Sequence, residues 1–305
     1  MLSKYVSLTK RNCKVFLKDR SAVAFSLLSM LVVLMLQGIF LGDMNVEEVT
    51  GLLAKYGGIR DAALDLENAG HLVQYWTLAG ILIVNAVTVT LTVTGVMVND
   101  AGQNKLASFY SSPVSKKLVA LSYVTAAILI GTLFCTLTFA FSSLYIVANG
   151  GELLSAAAFG QMILYILMNV CIFAVIMYMA ALFTKSSSAW SGIGTIVGTL
   201  VGFVGAIYLP MGSLPEGVGE VLKFIPILHG ASLMRSICCK DALAAAFYGL
   251  PEEVTAGYKE AMGITVVMNG HTVGSGFQIA FLCACGAAAL AVILIFAGKK
   301  KSSDR

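Results

Sequence analysis

Six long apolar runs alternate with polar segments along the chain. They occupy residues 22–41, 76–98, 118–147, 156–183, 191–209 and 276–297, and none has a charged residue or a histidine near its middle. A helix needs about 20 apolar residues to cross a bilayer. The runs are continuous rather than alternating, which favours helices over barrel strands. The pattern predicts an all-α integral membrane fold with six transmembrane helices in one domain, residues 1–305.

The composition agrees with a chain that uses lipid as solvent. Of its 305 residues, 58% are hydrophobic and 12% are charged, whereas soluble domains carry about 25% charged residues. The mean hydropathy is +0.87. No basic stripe interleaved with aromatic residues occurs, so the sequence gives no support to nucleic-acid binding.

The lysines and arginines indicate the orientation in the membrane. Fourteen of the 20 lie before the first run, between runs two and three, between runs four and five, or after the last run. Thirteen of the 16 acidic residues lie in the other three segments between runs. Because cytoplasmic segments are enriched in lysine and arginine, we expect a multi-pass protein of a bacterial cell membrane with both termini in the cytoplasm.

Residues 1–20 have the pattern of an amphipathic helix that precedes the first run. Apolar and weakly polar side chains recur at helical spacing, at Leu2, Tyr5, Val6, Thr9, Cys13, Phe16 and Leu17. Basic side chains occupy another face, at Lys4, Arg11, Lys14 and Lys18. The pattern predicts an interfacial helix whose lysines approach anionic headgroups. A disordered basic tail is the alternative.

The segment 210–275 is too apolar for an ordinary exposed loop and too rich in proline for one long helix. Pro210, Pro215 and Pro226 interrupt it, and isoleucines, leucines, valine and phenylalanine cluster around them. Proline at this density breaks regular helices. We expect re-entrant or interfacial helices between spans five and six, with an exposed loop as the alternative.

Neutral polar residues inside the spans are candidates for a substrate path. They are Asn85, Thr88, Thr92, Gln161 and Asn169. Residues four apart, such as Thr88 and Thr92, share a helical face. Hydrogen bonding between helices is the other role open to these side chains.

Small residues recur every four positions in the fifth run, at Gly194, Gly198, Gly202 and Ala206. Such a row lets two membrane helices approach closely. The partner helix can belong to the same chain or to a second copy.

Catalytic signatures do not occur in the sequence. It contains no G-x-x-x-x-G-K-[ST], H-E-x-x-H or G-x-S-x-G motif. The cysteines lack metal-ligand spacing, and the adjacent Cys238 and Cys239 are interpreted as free thiols, since neighbouring cysteines bridge only with strain. We therefore expect neither an enzyme nor a metal or cofactor site in this chain.

The polar segment 99–117 is longer than a simple connector requires. Leu106, Phe109 and Tyr110 share one side of a short helix, Pro113 prevents its continuation, and Lys116 and Lys117 follow. An amphipathic helix of this kind suits a groove on a partner protein. A helix lying on lipid is the alternative.

Two stretches resemble type-2 ABC exporter permeases. The first runs from Asp100 through the helical stretch to Phe109 and then "SSPVSKKL". The second is "GSLPEGVGEVLKFIPILHGASLMR", which ends at Arg235. Asn104 stands where that family has a glycine, and asparagine tolerates left-handed backbone better than most residues. The six spans, the basic first helix and the large segment before span six agree with the family.

The resemblance implies a permease subunit that pairs with a second copy or a homologous permease. A separate ABC-type ATPase would bind ATP and Mg, and its surface groove would receive the loop helix, here the coupling loop 99–117 with Asp100, Asn104 and Lys116 among its residues. The interior without acidic residues favours export of an amphipathic or hydrophobic compound, such as a drug, an antimicrobial peptide or a lipid-like molecule. A non-transporting scaffold or sensor is the alternative, and a membrane enzyme is disfavoured.

Overall fold

The computed structural model describes residues 2–36, 42–111, 114–184 and 186–299, which are mostly helical. The first eight helices are α1 (Leu2–Lys18), α2 (Arg20–Leu36), α3 (Gly42–Tyr56), α4 (Ala62–Gly102), α5 (Lys105–Ser111), α6 (Lys116–Ala148), α7 (Ala156–Phe183) and α8 (Ser187–Val204). A 3-10 turn (Met211–Ser213) precedes α9 (Glu216–Leu222), α10 (Pro226–Cys238), α11 (Lys240–Ala246) and α12 (Glu252–Ala261). Strands β1 (Val267–Met268) and β2 (His271–Thr272) form an antiparallel hairpin before α13 (Ser275–Lys299).

Five helices in the described part of the chain are long and apolar enough to cross a membrane. They are α4, α6, α7, α8 and, over Ser275–Phe296, α13. The prediction of an all-α protein with several membrane spans is confirmed. Most of the first predicted span lies on α2, and residues 37–41 fall outside the described ranges, so the count of six remains a prediction.

Helix α4 is the central element of the bundle. It is apolar around its whole circumference, as a fully enclosed helix should be, and 89% of its most apolar window is buried. It packs against α6, α7, α8 and α10. The sequence placed its start at residue 76, but the helix begins at Ala62, where the Asp61 side chain accepts a hydrogen bond from the Ala63 amide (2.9 Å). Polar residues in those first turns concealed the extension from the hydropathy pattern.

The end of α8 also differs from the prediction. The apolar run continues to residue 209, yet the helix ends at Val204 because Ala206 adopts a left-handed conformation with φ 52°. The amides of Ile207 and Tyr208 then donate to the Gly202 carbonyl oxygen (2.8 and 3.2 Å) and turn the chain back. The prediction that Ala206 extends the row of small residues on the same helix is therefore wrong.

The segment after α8 consists of short helices, and the three prolines lie where these helices begin, at Pro210, Pro215 and Pro226. Pro210 precedes the 3-10 turn, Pro215 precedes α9 and Pro226 is the first residue of α10, a position that proline favours because its missing amide would have no helical partner. Helix α10 packs against α4, α7 and α13. Helices α11 and α12 and the hairpin have no counterpart in the sequence-based prediction.

Candidate functional site

The helical bundle has two chemically different ends. The basic end carries α1, α5 and the loop 99–117, and the acidic end carries α3 and α9–α12. At the basic end, α4 reaches Gly102 and the chain reverses through Asn104, whose φ of 57° is left-handed. Asparagine thus occupies the turn where the resembling family has glycine. Pro113 lies outside the described residues, and Ser115 caps α6 by accepting a hydrogen bond from the Leu118 amide (3.3 Å).

Asp100 is the buried acceptor at the centre of the basic end. Its carboxylate accepts hydrogen bonds from both terminal nitrogens of Arg11, one of them at 2.9 Å, and from the Tyr123 hydroxyl at 2.6 Å. The Lys105 ammonium lies 3.9 Å away. The hydrogen bond with Asp100 raises the pKa of Arg11 above its usual value. A bidentate guanidinium–carboxylate contact is strong and directional, so it ties α1 to the last turn of α4. The Tyr123 hydrogen bond to the same carboxylate adds α6.

Helix α1 has three faces rather than the two that its sequence predicts. Tyr5, Thr9 and Phe16 pack toward α6, where Phe16 meets Phe134 edge-on at 6.2 Å. By contrast, Leu2, Val6 and Leu17 are exposed, so the single predicted apolar face is divided between protein and surroundings. The side chains of Lys4, Lys14 and Lys18 are exposed on a third face. This arrangement suits a helix that has protein on one side and lipid on the next.

Helix α5 keeps its aromatic rings partly inside the chain. Leu106 is buried, and Phe109 and Tyr110 are half-buried. The Arg11 guanidinium lies 5.3 Å from the centre of the Phe109 ring, and the Lys116 ammonium lies 5.2 Å from that of Tyr110. Lys117, next to Lys116, is exposed at the start of α6. The outward surface of α5 therefore consists mainly of small residues: Ala107, Ser108 and Ser111.

A cavity of about 370 Å³ opens between α1, α2, α4 and α8 near the basic end. Its wall combines apolar side chains with hydroxyl, amide and carboxylate groups, among them Phe16, Thr92, Asn99, Asp100, Ser187 and Trp190. The Trp190 indole lies against Gly95, where an added Cβ would come within 2.9 Å of Nε1. The lining is therefore mixed, with apolar, neutral polar and charged side chains.

The predicted path residues occupy separate places. Thr92 lines the cavity, and Thr88 lies one turn further along α4, each half-buried with its hydroxyl donating to a carbonyl oxygen of its own helix. Asn85 is buried and donates to the Thr138 hydroxyl (2.9 Å). Asn169 is buried beside Gly230 of α10, and Gln161 is exposed in the first turns of α7. The structure brings the two threonines, but not the five residues, to one surface.

The glycine row of α8 faces different surroundings along its length. An added Cβ at Gly194 would lie 3.5 Å from Leu91, and one at Gly202 would collide with the Tyr208 ring at 2.2 Å. Gly198 has nothing within 4 Å. Only 17% of the apolar window of α8 is buried. Most of this helix is therefore left uncovered by the described part of the chain, apart from its contact with α4.

Arg235 is fully buried at the acidic end. Nη2 donates to the carbonyl oxygens of Gly205 (2.9 Å) and Ala206 (2.8 Å), just beyond the end of α8. Nη1 lies 3.4 Å from the Gly263 carbonyl oxygen, and the guanidinium carbon lies 4.5 Å from the centre of the Trp76 ring. Burial lowers the pKa of Arg235 to about 10, so the group stays charged at neutral pH.

Three aromatic residues in these contacts were missed from the sequence. Tyr123 binds Asp100, Trp76 stacks on Arg235 and Trp190 lines the cavity. Aromatic residues are common in membrane helices, so nothing marked these three. The only available signal was that Tyr123 lies near the basic end, where a hydroxyl can reach the buried carboxylate of the loop.

The fold and its contacts define a polytopic membrane protein with a structured loop at its basic end. Among the residues that the structure describes, no group of three histidine, cysteine or acidic side chains is arranged to hold a metal. The family model of the ABC-2 type transporter matches residues 3–238. The chain belongs to this family, and it is the permease subunit of an ABC transporter. No curated protein matches the chain.

Proposed function

We propose that this permease exports an amphipathic or hydrophobic compound, such as a drug, an antimicrobial peptide or a lipid-like molecule, from a bacterial cell. Two permeases form the membrane dimer, and both termini of each lie in the cytoplasm. A separate ABC-type ATPase, which holds ATP and Mg, docks on α5, and α1 helps to pass its motion to the spans. The observation that carries the proposal is the Arg11–Asp100 contact, which ties α1 to α4 beside the Phe109 ring of α5.

The basic end supplies a short mechanical route from an ATPase to the spans. Asp100 is in the last turn of α4, and α5 follows within three residues. Arg11 contacts both Asp100 and the Phe109 ring. In this proposal a displacement of α5 passes to α1 through the Phe109–Arg11 contact, and from α1 to α4 through the directional, charge-assisted Arg11–Asp100 hydrogen bonds.

Ala107→Arg tests the docking surface without disturbing the packing of α5. Ala107 is exposed, so the new side chain extends outward and obstructs a protein groove. We expect at least a tenfold loss of a co-purifying P-loop ATPase, with unchanged thermal unfolding of the permease. The measurement is ATPase activity and protein recovered with the tagged permease from cell membranes.

Ala256→Arg is the matched control, because Ala256 is an exposed alanine of α12 at the acidic end. It should retain the ATPase. Undiminished recovery with Ala107→Arg would contradict docking on α5. If the wild-type chain recovers no ATPase at all, the scaffold or sensor alternative gains support instead.

The cavity near the basic end supports an amphipathic substrate. It borders α8, the span with the most open surface, and Thr92 and Thr88 continue its polar wall along α4. Such a surface can accept polar and apolar parts of one molecule at the same time. The substrate path proposed here follows the groove between α4 and α8.

The open face of α8 supports pairing with a second permease. Gly198 and the hydroxyl-bearing Ser191, Thr195 and Thr199 are exposed along this helix, and each hydroxyl donates to a backbone carbonyl oxygen four residues earlier. Small side chains with satisfied hydroxyls permit close approach of two helices in lipid. We assign this face to the permease–permease contact.

Gly198→Ile should separate the two permeases while leaving the single chain folded. The new side chain meets open space within the described part of the chain but separates the backbones of two α8 helices that touch at Gly198. We expect a shift from dimer to monomer, measured by the protein mass in detergent or by counting labelled subunits in vesicles. The control is Gly160→Ile on α7, an exposed glycine that also has nothing within 4 Å; dimers that survive Gly198→Ile would exclude this face.

A further inference from the structure

Arg235 holds a buried positive charge without an acidic partner. No carboxylate oxygen of the described residues lies within 4 Å of it. Its charge is balanced by three carbonyl oxygens and the face of the Trp76 ring. Two of those carbonyls, of Gly205 and Ala206, lie just beyond the C-terminal end of α8. The helix dipole places partial negative charge at that end. We call this group, with Gly205, Ala206, Gly263 and Trp76, the Arg235 clamp.

The bonds of the clamp differ in kind on its two sides. Toward α8, Nη2 makes two charge-assisted hydrogen bonds of 2.9 and 2.8 Å, which are directional and strong. Toward α4, there are two contacts. Arg235 lies over the face of the Trp76 ring, and the Ile207 side chain packs against Gly80, where an added Cβ would lie 3.0 Å from it. Ring and aliphatic contacts are less directional, so they can separate or slide more easily than the hydrogen bonds.

Helix α8 is the least buried of the five candidate membrane spans. Only 17% of its apolar window is buried, against 89% for α4. Its end beyond Val204 is enclosed, however, with Ala206 and Ile207 fully buried. The least packed span is thus attached at the acidic end by the two hydrogen bonds of Arg235 and by an apolar cluster that joins Ala206 to Leu228 and Val266.

We propose that Arg235 is a positioning residue that joins the end of α8 to α10, so that α8 and α10 shift together against Trp76 of α4 during transport. This inference rests on the proposed function for its transport role. The joining of α8 to α10 does not, and it is testable in the isolated permease.

The first experiment measures amide hydrogen exchange in the isolated permease. The Ile207 and Tyr208 amides are bonded to Gly202 at the end of α8. With Arg235→Met, we expect peptides covering these amides to exchange at least tenfold faster, while α4 around Trp76 stays protected. Arg235→Lys, which retains a charge but not the two-carbonyl contact geometry, should give an intermediate rate. Unchanged exchange at the end of α8 in both variants would overturn the joining role.

The second experiment uses Trp76 as a reporter in the complex with the co-purifying ATPase. The chain has two tryptophans, so Trp190→Phe leaves Trp76 alone, and a variant lacking both provides the blank for the fluorescence of the ATPase. We expect ATP with vanadate to shift the Trp76 emission and at least double its quenching by acrylamide. Arg235→Met in this background should start in the quenched state and show no response to ATP.

The outcomes separate the two proposals. A Trp76 signal that does not respond to ATP in a complex with normal ATPase turnover would overturn this shift at Trp76. A response that persists in Arg235→Met would do the same. Failure to recover any ATPase counts against the proposed function, while the exchange experiment still supports or overturns the joining of α8 to α10.

Discussion

Arg11→Met should lower the free energy of unfolding by about 3 kcal/mol, the range found when one partner of a buried ion pair is removed. The reason lies in the unequal burial of the two partners. The side chain of Asp100 is 4% exposed, while that of Arg11 is 29% exposed. Without Arg11, the buried Asp100 carboxylate keeps only its hydrogen bond from the Tyr123 hydroxyl and the Lys105 ammonium 3.9 Å away. Equilibrium unfolding of the detergent-solubilised protein by a denaturant titration measures the change in free energy.

The matched control is Lys10→Met, which removes the same charge from an exposed position of α1 and should change stability little. The double variant Arg11→Met with Asp100→Asn removes both charges and retains an acceptor for Tyr123. It should recover much of the loss, because the uncompensated charge is what costs stability. Additive losses in this double-mutant cycle would show that the two side chains do not interact.

The same substitution has a functional consequence in the complex. Arg11 is not on the outward surface of α5, so Arg11→Met should still recover the ATPase at a level near that of the wild type. Transmission from α5 to α4 should fall, and with it the response of Trp76 to ATP. Loss of ATPase recovery with Arg11→Met would place Arg11 in the docking surface instead.

Gly230→Ala should lower the free energy of unfolding by about 2 kcal/mol through overpacking. An added Cβ would lie 2.2 Å from Oδ1 of Asn169 and 2.7 Å from Cδ1 of Ile83. Both neighbours belong to long helices, α7 and α4, which hold α10 between them. The methyl group therefore has to displace a helix or force the Asn169 side chain out of its contact. Thermal unfolding measured by loss of the monodisperse peak in size-exclusion chromatography tests this.

The companion variants show whether contact or helix propensity is responsible. Gly257→Ala changes a glycine of α12 that has nothing within 4 Å, and it should leave stability unchanged or raise it, because alanine favours helix over glycine. Asn169→Ala combined with Gly230→Ala should recover part of the loss. A loss of equal size in Gly257→Ala would contradict the packing explanation.

Element type and membrane location were predictable because lipid imposes a simple rule. Every backbone group in the apolar layer needs an internal hydrogen bond, so an uninterrupted apolar run such as 156–183 must be helical, and α7 occupies Ala156–Phe183. The coupling loop was predictable as a short helix because Leu106, Phe109 and Tyr110 share its inner side. The match of residues 3–238 to the ABC-2 type transporter family confirms the resemblance that the loop and the proline-rich segment suggested.

The contacts that give the candidate site its mechanical character were not predictable in this way. Arg11 and Asp100 are 89 residues apart, and each alone has an ordinary explanation, as a basic interfacial residue and as a polar loop residue. The extra turns of α4 were hidden by polar side chains that α3 and α11 partly cover. The early end of α8 depends on one left-handed residue, Ala206, at a position where the hydropathy pattern predicts helix.

Local physics along the chain thus accounts for which residues enter lipid, since apolar length and charge distribution act on each segment separately. The pairing of charges depends on which helix ends meet, and only the packed bundle brings them together. Arg235 shows the difference most clearly. In sequence it is one cation in an outer segment, whereas in the fold it is a buried group that links α10 to the end of α8 and to Trp76. A buried charge is stable only where carbonyl dipoles and a ring face converge on it, and that convergence is a property of the tertiary structure.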